Sequence, residues 1–134
     1  MNHRPVVVGV QRSERGSAVA DFVLVSILVV MLFLATFQLG LALHTRNTLI
    51  SCASEGARLG ARADATPALG VTRAKALIRA SLSPAYAESV SQRVTVVDGV
   101  EVVEVRVRAP IPVLGLLGPS GRLDVVGRAF LESQ

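Results

Sequence analysis

From Phe22 to Leu43 the chain runs for twenty-two residues without a charged side chain. As an α-helix, at about 1.5 Å per residue, this stretch is roughly 33 Å long and can cross a bilayer core of about 30 Å. It therefore reads as a membrane span. Of the 134 residues, those beyond the span suffice for one small domain. A cleaved secretory signal fits less well. Such signals carry an apolar core of about 7–15 residues followed by a small-x-small site. Here Ala18-Val19-Ala20 precedes the apolar run, and "HTRNTLIS" follows it.

Positive charge does not orient the span. Arg12 and Arg15 stand on one side, and Arg46, Arg58 and Arg62 on the other. The short N-terminal segment favours a cytoplasmic N-terminus, because long C-terminal domains translocate largely regardless of charge. Cys52 is the single cysteine, so the domain has no internal disulfide, and the residue reads as a small apolar packer. The net charge is +4, but with no Trp and one Tyr there is no stacking platform for bases. These features count against a nucleic-acid partner.

The helical pattern continues past the membrane edge. No proline occurs between Ser17, read as a helix cap, and Asp64. Leu49, Ala53, Gly56 or Ala57, and Gly60 recur at steps of three and four, forming one helix stripe. Glu55 and Arg58, on the other side, are spaced to pair. Gly56 and Gly60 each weaken a helix by about 1 kcal/mol relative to Ala. Close approach of another backbone would offset that cost. Thr66-Pro67 then starts a second helix, expected to reach about Leu82 with Ala74, Leu77, Ile78 and Leu82 on one face. Ser83-Pro84 stops it.

"RVTVVDGVEVVEVRVR" reads as a hairpin about Asp98-Gly99. Pairing outward from the turn sets Val97 opposite Val100 and Arg93 opposite Glu104. One face then carries Val94, Val96, Val103, Val105 and Val107. The Pro/Gly-rich "APIPVLGLLGPSG" is apolar for a loop, and covers the core or meets a partner or the membrane. "RLDVVGRAF" supplies a third strand.

Catalytic constellations are missing. His3 and His44 lie on opposite sides of the span, no Cys or His pair has metal-ligand spacing, and no glycine-rich phosphate loop occurs. Glu101 and Glu104 fall on opposite strand faces. The reading is a protein without enzymatic activity, metal or cofactor.

The remaining puzzle is "RGSAVADF", which puts Asp21 at the threshold of the apolar run. One account is that a carboxylate at a helix start is favoured by the dipole and by unpaired N–H groups. Another is cleavage between Gly16 and Ser17, which would create an α-amine four residues before Asp21. That amine, with a reference pKa of about 7.7–8.0, would be largely protonated at neutral pH. Amine and acid could then neutralise each other near lipid, within one helix or between neighbouring subunits.

"ERGSAVADFVLV" followed by the long apolar helix resembles the class III signal of type IV pilin-like proteins. "HTRNTLISCASEGARLGA", residues 44 to 61, resembles the TadE-like pseudopilins of the Flp/Tad tight-adherence family, in particular actinobacterial ones. The likeness continues through "VVEVRVRAPIPVLGLLG" to "GRAFLE", covering roughly residues 12 to 134. It implies cleavage by a prepilin peptidase after Gly16, so that Ser17 becomes the first mature residue. It also implies assembly and recognition roles for Asp21, at the fifth mature position, and for the aromatic Phe22. The family's acid is usually Glu; Asp21 is shorter by one methylene.

Together these readings give an α+β, pilin-like fold. A long transmembrane helix continues into a small domain with a second helix and a three-stranded antiparallel sheet. Residues 1–16 are a cytoplasmic leader, 17–43 the membrane half of the helix and 44–134 an extracytoplasmic domain. Thr36, Gln38 and Gly40 are candidates for helix–helix contacts in lipid, with Gly56 and Gly60 beyond it. Expected partners are membrane lipid, the prepilin peptidase, other pilins or pseudopilins, and the assembly machinery. An uncleaved signal-anchor protein displaying a binding domain, and a surface DNA receptor, stand as alternatives.

Overall fold

The computed structural model describes residues 12–112 and 121–132, with side chains from Gly16 onward. His3, most of the leader, the "VLGLLGPS" part of the apolar loop and the last two residues lie outside the described residues. The element order is α1 (Arg12–Gly60), α2 (Pro67–Ser81), a one-turn 3₁₀ segment (Pro84–Ala87), β1 (Ser89–Val97), β2 (Val100–Pro110) and β3 (Arg122–Phe130). This is an α+β chain with a three-stranded antiparallel sheet in the order β1-β2-β3.

The chain divides into two compact units, one ending at Phe37 and the other beginning at Gln38. In the first, α1 exposes its apolar side chains, Phe22, Leu24, Leu28, Leu32 and Phe33 among them. Phe33 and Phe37 stack at 6.4 Å. The helix is long and apolar enough to cross a membrane. Ser17 does not cap it, because α1 already begins at Arg12. Gly16 is the only poor helix former in this first stretch, and one glycine costs too little to break the helix.

In the second unit both helices lie on one face of the sheet. Leu49, Cys52, Ala53 and Ala57 of α1 meet Ala74 and Ile78 of α2 and Val105, Val107, Ala109 and Val125 of the sheet. Small residues let the backbones approach. A Cβ on Gly56 would meet the Gly70 carbonyl oxygen at 2.5 Å, and one on Gly60 would meet the Pro67 Cα at 3.2 Å. A Cβ on Gly127 would run into the Ala53–Ser54 peptide of α1.

The hairpin has the expected register, from Val97 opposite Val100 to Arg93 opposite Glu104. Its turn places Asp98 at φ 51° and Gly99 at φ 80°, the pair of positive angles that a two-residue primed turn requires. Val94 and Val96 share the face of buried Val103, as expected, and are 46% and 63% exposed; the packed helices cover edge strand β1 around Val90. One sequence expectation needs correction. Glu55 and Arg58 do not pair. Both are exposed, where such a contact stabilises by only about 0.3–0.5 kcal/mol, and the neighbouring ion pair is Arg62–Asp64 at 3.1 Å.

Gly127→Ala is expected to destabilise the protein by roughly 3 kcal/mol, the upper end of overpacking costs. Circular dichroism of the full chain in detergent should show the thermal midpoint falling by more than about 10 °C. Gly40→Ala, where a Cβ meets nothing within 4 Å, should not lower the midpoint, since alanine favours the helix.

Candidate functional site

Gly16, Ser17 and Asp21 lie on one uninterrupted helix, Asp21 about two and a half turns after its start. Dipole stabilisation fades within the first turn, so the helix start does not account for this acid. Asp21 is exposed and has no hydrogen-bond or ion-pair partner among the described residues. Ser17 stands four residues earlier, the spacing at which two side chains meet on a helix face. Phe22 beside it is 72% exposed. The segment thus presents an acid and an aromatic ring outward, at the head of an apolar surface that none of the described residues covers.

The three mild helix residues differ among themselves. Thr36 Oγ1 donates to the Leu32 carbonyl at 2.9 Å, within its own helix. Gly40 leaves open space beside it. Gln38 Nε2 donates to the Pro112 carbonyl at 2.6 Å, so its amide is engaged by its own domain. Gly56 and Gly60 both face α2.

The outer face of the sheet carries an arrangement that sequence reasoning found only in part. Glu104, on the central strand, is 2% exposed. Arg93 from β1 approaches its carboxylate at 3.1 Å, Arg128 from β3 at 3.0 Å, and Arg106 from its own strand at 3.7 Å. Arg106 and Arg108 also reach Asp124, at 3.7 and 3.5 Å. Both flanking arginines are register partners of Glu104, so pairing across three strands builds the cluster. Arg93 was legible from the hairpin; Arg128 needed the register of β3. Burial by itself raises the Glu104 pKa. The hydrogen bond from Arg128 and the charges of Arg93, Arg128 and Arg106 outweigh it and hold the carboxyl below its ordinary value.

Cys52 is buried in the core and reduced, and burial pushes its thiol pKa up. It is thereby kept as an unreactive thiol. An open groove of about 710 Å³ passes Ser51, Cys52 and Glu55 and reaches Leu77 and Ser81 of α2. Among the described residues no group of His, Cys, Asp and Glu could hold a metal ion.

Residues 16–58 match the family model described as TadE-like protein. The match takes in Gly16, Ser17, Asp21, the apolar run and the packing stripe of α1 as far as Arg58. It supports a TadE-like protein associated with the Tad pilus, anchored by its N-terminal apolar helix. Helix α2 and the sheet lie outside it. No curated protein and no solved structure matches the chain.

Glu104→Gln tests the arginine cluster. A carboxylate with a lowered folded pKa stabilises the protein above its unfolded pKa of about 4.3, and that stability is lost as pH falls through the folded value. The variant should lose about 2 kcal/mol at pH 7, from weakened charged hydrogen bonds. Its stability should also change less than the parent's between neutral pH and about pH 3. Denaturant titrations of both proteins across this range provide the measurement.

Proposed function

We propose that this TadE-like chain is a minor pilin or pseudopilin of a Flp/Tad-type pilus assembly or secretion system. A prepilin peptidase removes residues 1–16 on the cytoplasmic side, and the domain beyond the span faces outward. The helix parks the mature protein in the bilayer and packs against neighbouring pilins when subunits assemble. The observation that carries this reading is Asp21, an acid within a helix, at the start of the charge-free run, without a partner among the described residues. An acid in that position is costly unless it finds a cation. Cleavage between Gly16 and Ser17 supplies one, a turn away on the same helix and equally within reach of an adjacent subunit's Asp21.

The match over residues 16–58 supports this reading, because it begins at the glycine of the cleavage motif. The groups involved divide the labour simply. Gly16 lets the peptidase approach the backbone and unwind the turn around the scissile bond, since it lowers helix propensity. Ser17 carries the new amine. Asp21 sets the register of one helix against the next, and Phe22 and the leucines after it supply the apolar contact.

Intact mass and N-terminal sequencing of the protein from its native membranes test the processing. The expected mature chain starts at Ser17. A chain retaining its leader in cells with an active prepilin peptidase would instead identify a signal-anchor protein. Asp21→Ala is expected to abolish co-purification with the other pilins while leaving the domain's thermal midpoint unchanged; Asp21→Glu should restore it. Normal assembly of the alanine variant sinks the subunit-register role.

A further inference from the structure

The end of the sheet formed by Pro110–Pro112 of β2 and its extension reaches the level of the apolar part of α1. Two crossings establish this. Ala53 lies on Gly127, whose register partner is Val105, and Gln38 is bonded to Pro112. From Ala53 back to Gln38 the helix covers about 23 Å. From Val105 on to Pro112 the strand and its extension also cover about 23 Å. Helix and strand run side by side in opposite directions and arrive together at Gln38.

Gln38 lies inside the charge-free run. Gln38 stands five residues before the end of that run at Leu43, so the sheet end bonded to it lies beside the last turns of the apolar stretch.

The backbone at this end suits such a location. Pro110 and Pro112 have no N–H to leave unsatisfied. The N–H of Ile111 donates to the Gly121 carbonyl at 3.2 Å, and the Pro112 carbonyl accepts from Gln38. Satisfied backbone groups are the condition for burial in lipid. Arg122 is the register partner of Pro110. It is exposed and has no ion pair among the described residues, while Arg108, one layer further along the outer face, is half-exposed and shares Asp124.

We propose that this end of the domain is seated in the bilayer surface, with Pro110, Ile111 and Pro112 at the boundary of acyl chains and headgroups. Arg122 reaches a lipid phosphate, its stem lying along the apolar boundary. The anchor would then be a helix with a second foot, which restrains the domain's rotation about the helix axis. The inference rests on the membrane-anchor reading of α1.

The chain has no tryptophan, so one introduced tryptophan reports alone. The full chain is reconstituted in phosphatidylcholine–phosphatidylglycerol vesicles with bromine on the lipid tails, either shallow or deep. Leu32→Trp should be quenched by deep bromine, and Ile111→Trp by shallow bromine. Val96→Trp, at the hairpin end, should be quenched by neither. Pro110→Trp, at an exposed position, repeats the test if the Ile111 variant folds poorly.

Arg122→Gln, which removes one surface cation, should lower the ratio of seated to lifted domain about fivefold, read as lost quenching at position 111. Unchanged quenching removes the arginine–phosphate contact from the proposal. Quenching at 32 without quenching at 111 or 110 overturns the seat and leaves the anchor standing. No quenching at 32 overturns the anchor and the seat together. A tryptophan at 111 shielded from both bromine and aqueous iodide indicates a protein covering this end, and also overturns the seat.

Discussion

The second unit depends on the direct contact of α1's backbone with its neighbours. At Gly127 the sheet offers no side chain, and the Ala53–Ser54 peptide occupies the space. At Gly56 and Gly60 the helix itself is bare, and α2 answers with Gly70 and Ala74. Helices and strands held this close gain dispersion contacts along their whole length, but tolerate almost no added volume. The same contacts fix the height at which the sheet stands along α1, and so which helix residues belong to the domain.

The leucines, valines and phenylalanines of α1 before Gln38 are exposed, while Leu49, Ala53 and Ala57 are fully buried. One helix thus changes its packing logic along its length. Large side chains suit lipid tails, and small ones suit a nearby backbone. The switch needs no break in the helix, only a change of side-chain size.

The outer face follows a different rule. Five arginines and two carboxylates share it, and the carboxylate on the central strand is enclosed by three of them. Glu104 joins the three strands through side chains where the ladder already joins them through backbone. The surplus of arginine leaves the face cationic. Near a phospholipid surface this surplus attracts; away from it, it keeps the small domain soluble.

Much of this was legible in the chain. A helix long and apolar enough to cross a membrane follows from twenty-two residues without charge. The hairpin register follows from Asp98-Gly99, because a two-residue turn leaves a single way to pair outward. The stripe of Leu49, Ala53, Ala57 and Gly60 follows from helical periodicity. These are local signals, set by backbone sterics and by water's rejection of apolar surface. Three matters only the tertiary structure decided. Gly127 could have been any strand glycine until α1 crossed it. Glu104 reads as half of a surface pair until β3 brings Arg128 to its other side. Val94 and Val96 have the alternation of core residues, but no helix reaches them. In each case the outcome depends on which distant segment arrives, and that is set by the packing of whole elements, a non-local property.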